Sequence, residues 1–493
     1  MELTSDPVDA KAQGKPGTSM TIQLIEHNLH EIAIDGRRVL FHIPTSALFE
    51  LDPVGEAVID ALRTKSVSEG DALNKVLARH FDADQVKDTL DELRQLNIVE
   101  GGPRSSPQAK SEITGEGLTT LILNVNTGCN LSCTYCYKED LTAPADGDLM
   151  DIETAKRSVE LLIEQAKSGE PVNLVFFGGE PLTNMRLIRE TVAYAEDKAA
   201  DAGVVVDFTL TTNATLLTDE IIDFLDHHHF GLTVSMDGPK ALHDRNRKTV
   251  GGKGTYDVVA RNVRRLLSKY RSRPVGARVT LTPGVIDVHA IHDHLVGELG
   301  FHEVGFSPAT AGDNEIFNLN EQELAEVFDG MKALGRLYME GALRGLNIGF
   351  SNLHQLMTDL HEGTRKLIPC GAGVGMLAVD KEGKFNLCHR FTGSKVPTFG
   401  DVDNGLDQVA LSKFVNDAQD RTDTGCATCR IRNLCSGGCY HESYARYGDP
   451  LHPTYHYCDL MRDWVDFGLE VYTRIASENP EFFANHIEPR RAN

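Results

Sequence analysis

The stretch Asn126–Tyr137, NTGCNLSCTYCY, decides how the rest of the chain is read. It sets Cys129, Cys133 and Cys136 at Cys-x3-Cys-x2-Cys spacing, just after the apolar run Thr119–Asn124. Three thiolates this close can bind three irons of a [4Fe–4S] cube, which normally takes four cysteines, and the fourth iron is then open to a small ligand. A metal site with an open position is reactive, whereas a closed one is structural. A zinc site short of one ligand is the plainer alternative.

Outward from that loop the chain alternates strand, loop and helix. Apolar strand candidates are Thr119–Asn124, Val172–Phe177, Val205–Thr211, Leu232–Met236, Ala277–Leu281 and Glu303–Ser307. Amphipathic helix candidates between them include Ile152–Ala166, Met185–Ala200 and Tyr256–Tyr270. Such alternation predicts parallel strands, and six repeats suit an open barrel better than a closed eightfold one. Chemistry in these folds sits at the carboxyl ends of strands, where all the candidate motifs fall. A helical region is expected from Asn320 to about Gly345. Beyond Pro369 the chain is rich in turns and holds seven of the ten cysteines, with a hairpin expected through Met376–Val379 and Lys384–Leu387.

The 493 residues are too many for one ordinary core, so several domains are expected. A net charge of −23 disfavours nucleic acid as the main partner. The polar N-terminus lacks the apolar core of a signal peptide, and no apolar run reaches membrane-spanning length, so a cytoplasmic location is expected. Thiols stay reduced there, and ten cysteines point to metal rather than disulfides. Residues 1–19 have the composition of a disordered tail and GGPRSSPQAK, residues 101–110, that of a linker. Between them, strands are expected at Ile22–Ile34 and Val39–His42 around an Asp35-Gly36 turn, helices at Val54–Leu62 and Val86–Leu96, and a closing strand at Ile98–Glu100. This is a small α+β module of winged-helix character.

NTGCNLSCTYCY resembles the cluster loop of radical SAM enzymes. The resemblance implies S-adenosylmethionine bound through its amino and carboxylate groups to the open iron, with Tyr135 against adenine. Phe177-Gly178-Gly179-Glu180-Pro181 is similar to the family's GGEP motif, in which Gly178 and Gly179 admit close backbone approach and Glu180 receives the ammonium. Asn213 after the third strand, and Ser235 and Asp237 after the fourth, resemble later motifs that contact ribose or shape the pocket. Asp237 reads equally as a turn residue before Gly238-Pro239, and Arg245 and Arg247 in HDRNR, candidate cofactor contacts near the same mouth, read equally as members of a solvated loop. His227-His228-His229 ends a predicted helix and reads as a surface turn.

Downstream, Cys370-x12-Gly383-x4-Cys388, Cys426-x2-Cys429-x5-Cys435-x3-Cys439 and Cys458 are similar to the SPASM domain. That resemblance implies two auxiliary iron–sulfur clusters, one on Cys426, Cys429, Cys435 and Cys458 and the other on Cys370, Cys388 and Cys439. A pair of zinc knuckles is the alternative for such spacing. Residues 20–105 resemble the winged-helix-like elements that bind leader segments of ribosomal peptides by extending a sheet edge. The implied architecture is an α/β fold. It has a leader-recognition domain at 20–105, a partial (β/α)6 radical SAM barrel at 115–330 and a SPASM domain at 331–493.

Together these modules resemble radical SAM/SPASM peptide maturases, and among them the maturases of quinohemoprotein amine dehydrogenases. That subfamily implies thioether cross-links from cysteine sulfur to Asp or Glu methylene carbons in a small, cysteine-rich substrate protein. It also implies hydrogen abstraction by a 5′-deoxyadenosyl radical and an external electron donor such as flavodoxin or ferredoxin. Asp237 is the candidate base for the substrate thiol. Rival readings are a formylglycine-forming sulfatase maturase and, in a different class, an iron–sulfur redox sensor with a DNA-binding winged helix. The acidic character of the N-terminal module disfavours the last.

Overall fold

The computed structural model describes residues 21–63, 67–77, 79–100, 117–138, 147–166, 170–309, 316–420 and 424–487. The expected tail at 1–19 and linker at 101–110 lie outside them. Internal contacts divide the chain into two units, Met1–Ala109 and Lys110–Asn493.

In the first unit the strands are β1 (Thr21–Leu24), β2 (Leu29–Ile34), β3 (Arg37–His42), β4 (Ala47–Glu50), β5 (Val67–Ser68) and β6 (Val99–Glu100). Its helices are α1 (Pro53–Arg63), α2 (Glu69–Leu77) and α3 (Ala83–Gln95). Asp35 and Gly36 join β2 to β3 with φ of +51° and +77°, the paired positive angles of a tight hairpin whose twist matches its strands. The expected single strand over Ile22–Ile34 is two strands in two sheets. The chain turns at Glu26–Asn28, where the Asn28 N–H donates to the Ile25 carbonyl at 2.9 Å. β1 therefore pairs with β5 and β6, whereas β2 pairs with β3 and β3 with β4. Ile22, Leu40, Ile59, Val86, Leu90 and Ile98 meet in one core, giving a winged-helix-like unit. Asp82 starts α3 by accepting the Asp84 and Gln85 N–H groups.

The second unit is built on β7 (Thr120–Asn124), β8 (Val172–Phe177), β9 (Val206–Thr212), β10 (Gly231–Ser235), β11 (Val275–Leu281) and β12 (Glu303–Pro308). Each is parallel to the next. The crossovers carry α4 (Ile152–Glu164), α5 (Met185–Ala202), α6 (Asp219–His227), α7 (Lys240–Asn246), α8 (Tyr256–Lys269) and α9 (Val288–His292). Side chains alternate along β8. Leu174 and Phe176 are buried in the layer holding the Phe208 and Phe230 rings, while Asn173, Val175 and Phe177 on the other face are half-buried along the lumen.

Helix α10 (Glu321–Leu343) opens on a capping box, the Asn320 side chain accepting the Glu323 N–H and Glu323 returning to the Asn320 N–H. After α11 (Ser351–His361) the expected hairpin forms as β13 (Met376–Val379) and β14 (Phe385–Asn386). It does not stand apart from the barrel. β13 pairs in parallel with β7, so the sheet runs β12-β11-β10-β9-β8-β7-β13-β14 and stays open. This covers the free edge of β7, whose backbone groups would otherwise lack partners, and puts β14, which leads to Cys388, on the same sheet as the strand that leads to Cys129. The remainder holds a short antiparallel pair, β15 (Gly400–Asp401) and β16 (Gly405–Leu406), and helices α12 (Gln408–Gln419), α13 (Arg432–Cys435), α14 (Tyr440–Tyr447) and α15 (Cys458–Glu478). α15 packs on α10 and α11. Among the described residues no helix is long and apolar enough to cross a membrane.

Candidate active site

The loop after β7 is fixed by backbone on two sides. Ser132 and Thr134 N–H groups donate to the carbonyls of Lys248 and Asn246, tying the loop to the segment after α7. On the other side Asn126 accepts the Gly179 N–H on Oδ1 (3.1 Å) and donates from Nδ2 to the Glu180 carbonyl (3.0 Å). The fit leaves no room for side chains at the two glycines. A Cβ on Gly178, whose φ is +154°, would lie 2.2 Å from Asn126 Oδ1, and one on Gly179 would lie 2.0 Å from the Gly128 carbonyl oxygen. Asn126 is therefore part of the site, although the spacing of the cysteines gave no sign of it.

Cys129, Cys133 and Cys136 are free thiols. Burial, with smaller contributions from neighbours in the triplet, pushes Cys129 up to about 12 and Cys133 up to about 11. Cys129 and Cys133 are half-buried and Cys136 is exposed, and neighbouring thiols whose ionisation is disfavoured are stabilised as thiolates by a cation such as iron. The triplet thus fits a cluster of the expected kind.

Glu180 is buried at the carboxyl end of β8. Its Oε1 accepts the Thr212 hydroxyl (2.7 Å) and the Leu182 N–H (3.2 Å), and its Oε2 accepts the Asn213 N–H (2.7 Å). Burial lifts it to about 7, against the lowering effect of these donors. An arriving ammonium would restore its full charge. Asn213 in turn donates from Nδ2 to Asn130 Oδ1 (2.9 Å) in the cysteine loop.

Asp237 is fully buried and accepts three donors: the Tyr135 hydroxyl (2.6 Å), Arg247 Nε (3.0 Å) and the Thr280 N–H (3.1 Å). The Arg247 guanidinium also lies 5.4 Å from the Tyr135 ring centre. The turn and solvated-loop alternatives for Asp237 and Arg247 are thereby replaced by a buried triad. Ser235 ends β10 half-buried nearby in sequence, and the Arg245 guanidinium lies against Gly284. His228 Nδ1 sits 2.6 Å from Glu196 Oε1 and His229 adopts a φ of +53°, which is a helix end rather than a metal site.

The C-terminal cysteines gather into two sets. Cys370, Cys388 and Cys439 interact electrostatically, and burial pushes Cys388 up to about 12. Cys458 is raised by burial and by Cys435, Cys426 and Cys429, and these four line a cavity of about 240 Å³. Among the described residues no three His, Cys, Asp or Glu side chains converge to hold a single ion. Thiols placed around a space rather than at a point suit a polynuclear cluster, whose cysteines bind separate irons.

A second cavity, of about 990 Å³, has Tyr135, Cys136 and Tyr137 on one wall and His441 and Tyr444 of α14 on another. The Arg390 guanidinium lies 4.4 Å from the Tyr137 ring centre, and His389 packs on Phe177 at 4.1 Å between centroids. Burial and the Arg390 charge keep both His389 and His441 neutral, His441 at about 3. Lys138 reaches Asn124 Oδ1 (3.3 Å) and Thr392 Oγ1 (3.1 Å). Lys138, His389, Arg390, His441 and Tyr444 do not stand out in the sequence, because contacts such as Lys138–Thr392 and Arg390–Tyr137 join positions some 250 residues apart.

Residues 123–294 match the family model described as the Radical SAM superfamily. A cysteine-type anaerobic sulfatase-maturating enzyme of Clostridium perfringens is 31% identical over 376 residues, which is 73% of this chain and 98% of that protein. The radical SAM cyclopropyl synthase TigE of Paramaledivibacter caminithermalis is 22% identical over 454 residues, 86% of this chain and 90% of that one. Among solved structures, anSMEcpe with bound AdoMet matches with a TM-score of 0.63 at 19% identity, over 73% of this chain and 99% of its own. Streptococcus suis SuiB bound to precursor peptide SuiA matches with a TM-score of 0.50 at 14% identity, over 87% and 98%. Both structural likenesses speak to fold.

Proposed function

Because the chain belongs to the radical SAM superfamily, we propose that it is a peptide maturase that joins cysteine sulfur to Asp or Glu methylene carbons of a small protein. S-adenosylmethionine and a [4Fe–4S] cluster, when bound, supply hydrogen-atom abstraction from an unactivated carbon. Cys129, Cys133 and Cys136 hold that cluster. Glu180 takes the ammonium, oriented by Thr212 and the Asn213 N–H. Asp237 has no exposed surface and its oxygens are already engaged, so it holds Tyr135 and Arg247 in place rather than acting as a base. Gly178 and Gly179 let the two loops meet, while Asn213 and Ser235 face the nucleoside.

Cys426, Cys429, Cys435 and Cys458 hold one auxiliary cluster. Cys370, Cys388 and Cys439 hold the other, which leaves a coordination position for a substrate thiolate. Flavodoxin or ferredoxin is the expected donor. The N-terminal unit offers antiparallel sheet edges at β2 and β4 that a leader segment can extend. The observation that carries this reading is the cavity of about 990 Å³ with Cys136 on one wall and α14, which follows Cys439, on the other. An amine dehydrogenase small subunit is the substrate favoured by the sequence resemblance.

Anaerobic reaction with a small cysteine-rich candidate protein, read by mass spectrometry, tests it. Each thioether removes two hydrogen atoms and leaves the sulfur inert to alkylation. Release of 5′-deoxyadenosine with unchanged substrate mass rejects that substrate. Likeness to the Clostridium enzyme over 98% of its length supports a second reading, oxidation of a cysteine to formylglycine. That product loses its sulfur and gains an aldehyde reactive toward hydrazides, so one spectrum separates the two.

A further inference from the structure

Arg278 has no part in the chemistry above. It lies between Gly276 and Thr280 on the lumen face of β11, with Ala277 and Val279 buried on the opposite face. Gly305 on β12 faces it so closely that a Cβ there would lie 3.0 Å from Nη1. The side chain keeps access to solvent, yet the surrounding protein and the Arg390 charge disfavour its ionisation. That is the position of a cation on the wall of a narrow open lumen.

Among the described residues no carboxylate pairs with it. Asp237 is taken by Tyr135, Arg247 and Thr280, while Glu303 accepts the Ser351 hydroxyl. A guanidinium has five donors in a planar fork that matches a carboxylate. The Arg390 charge acts on Arg278, and Arg390 and Lys138 both act on His389, so the three cations share one neighbourhood. In a chain of net charge −23, cations are thus gathered at the catalytic mouth against the prevailing sign.

We propose that Arg278, assisted by Arg390, binds a carboxylate of the peptide substrate, so that the residue presented to the barrel is Asp or Glu. This rests on the peptide-maturase reading and supplies its acid specificity. The carboxylate of S-adenosylmethionine is the other source of such an anion.

Three probes separate them on the reconstituted, anaerobic holoenzyme by calorimetric titration. They are S-adenosylmethionine and two capped peptides, acetyl-Gly-Cys-Gly-Glu-Gly-amide and its Gln counterpart. The wild type should bind the Glu peptide about 10- to 100-fold more tightly than the Gln peptide, the range of a charge-assisted bidentate contact. Arg278→Gln should abolish that preference, and Arg278→Lys, which keeps the charge and the fold, should retain part of it. S-adenosylmethionine affinity should change less than twofold in both. Equal or absent affinity for the two peptides in the wild type, or a preference that survives Arg278→Gln, overturns the proposal. A loss confined to S-adenosylmethionine affinity also overturns it and gives the anion to the cofactor. A Glu preference with no thioether formed in any substrate leaves the acid site standing and rejects only the thioether reading.

Discussion

Replacing Asp237 by Asn keeps the shape of the buried triad and removes its charge. The Arg247 side chain is 8% exposed and Asp237 0%, so the guanidinium would remain desolvated with no counter-charge. Breaking one partner of a buried pair is destabilising by roughly 3–5 kcal/mol. Tyr135→Phe removes only the hydroxyl's bond to the carboxylate, worth about 1.5–3 kcal/mol for a hydrogen bond to a charged group. Asp237→Asn combined with Arg247→Met removes both charges together, and replacing a whole buried pair by apolar groups is often close to neutral. Urea unfolding of the anaerobically purified protein, followed by circular dichroism, should therefore rank the double variant as more stable than Asp237→Asn. Against a total stability of about 5–15 kcal/mol, the single variant should show a plainly lower midpoint. A double variant less stable than Asp237→Asn, or a single variant within 1 kcal/mol of wild type, would refute the reasoning.

Glu180→Gln preserves size and cluster content but should weaken S-adenosylmethionine binding by about 10- to 100-fold, since an ammonium loses its anionic partner; equilibrium binding measures this. Gly179→Ala places a methyl 2.0 Å from the Gly128 carbonyl, so iron bound after reconstitution should fall sharply, whereas Gly203→Ala, a helix end with open space around it, should not change it. In the N-terminal unit Arg38, with Arg63, holds the Glu31 carboxyl below its ordinary value. A depressed carboxyl contributes stability above the unfolded value of about 4.3, and that contribution is lost as pH falls through the folded one. Melting of this unit should lose stability over that acid range, and Glu31→Gln should flatten the dependence.

Much of the barrel is legible because period-2 and period-3.6 patterns are undiluted there. Val172–Phe177 forms as expected, and α4, α5 and α8 differ only at their last turns. The Ile22–Ile34 run misled because apolar alternation continues across the Glu26–Asn28 turn, which breaks the strand without a Gly or Pro to mark it. β13 reads as a local hairpin because its decisive partner, β7, lies some 250 residues earlier. The first cysteine triplet is legible from its spacing, and the division of the C-terminal cysteines into two sets only from the resemblance to the SPASM domain. Asn126, Lys138 and Arg390 are not, since each acts on a residue brought close only by the fold. Arg278 is an intermediate case. Alternation along Val275–Leu281 puts it on the lumen face, but only the structure reveals that no carboxylate among the described residues pairs with it.

Iron content is the decisive test of the proposal that three separate cysteine sets hold three clusters. The reconstituted protein should carry about twelve irons per chain, three cubes of four. Replacing Cys129, Cys133 and Cys136 together by alanine, or Cys426, Cys429 and Cys435 together, should each lower that count to about eight and leave the other sets filled. Zinc in place of iron at the C-terminal cysteines, or a count of about four that vanishes with the first triplet, would contradict the account.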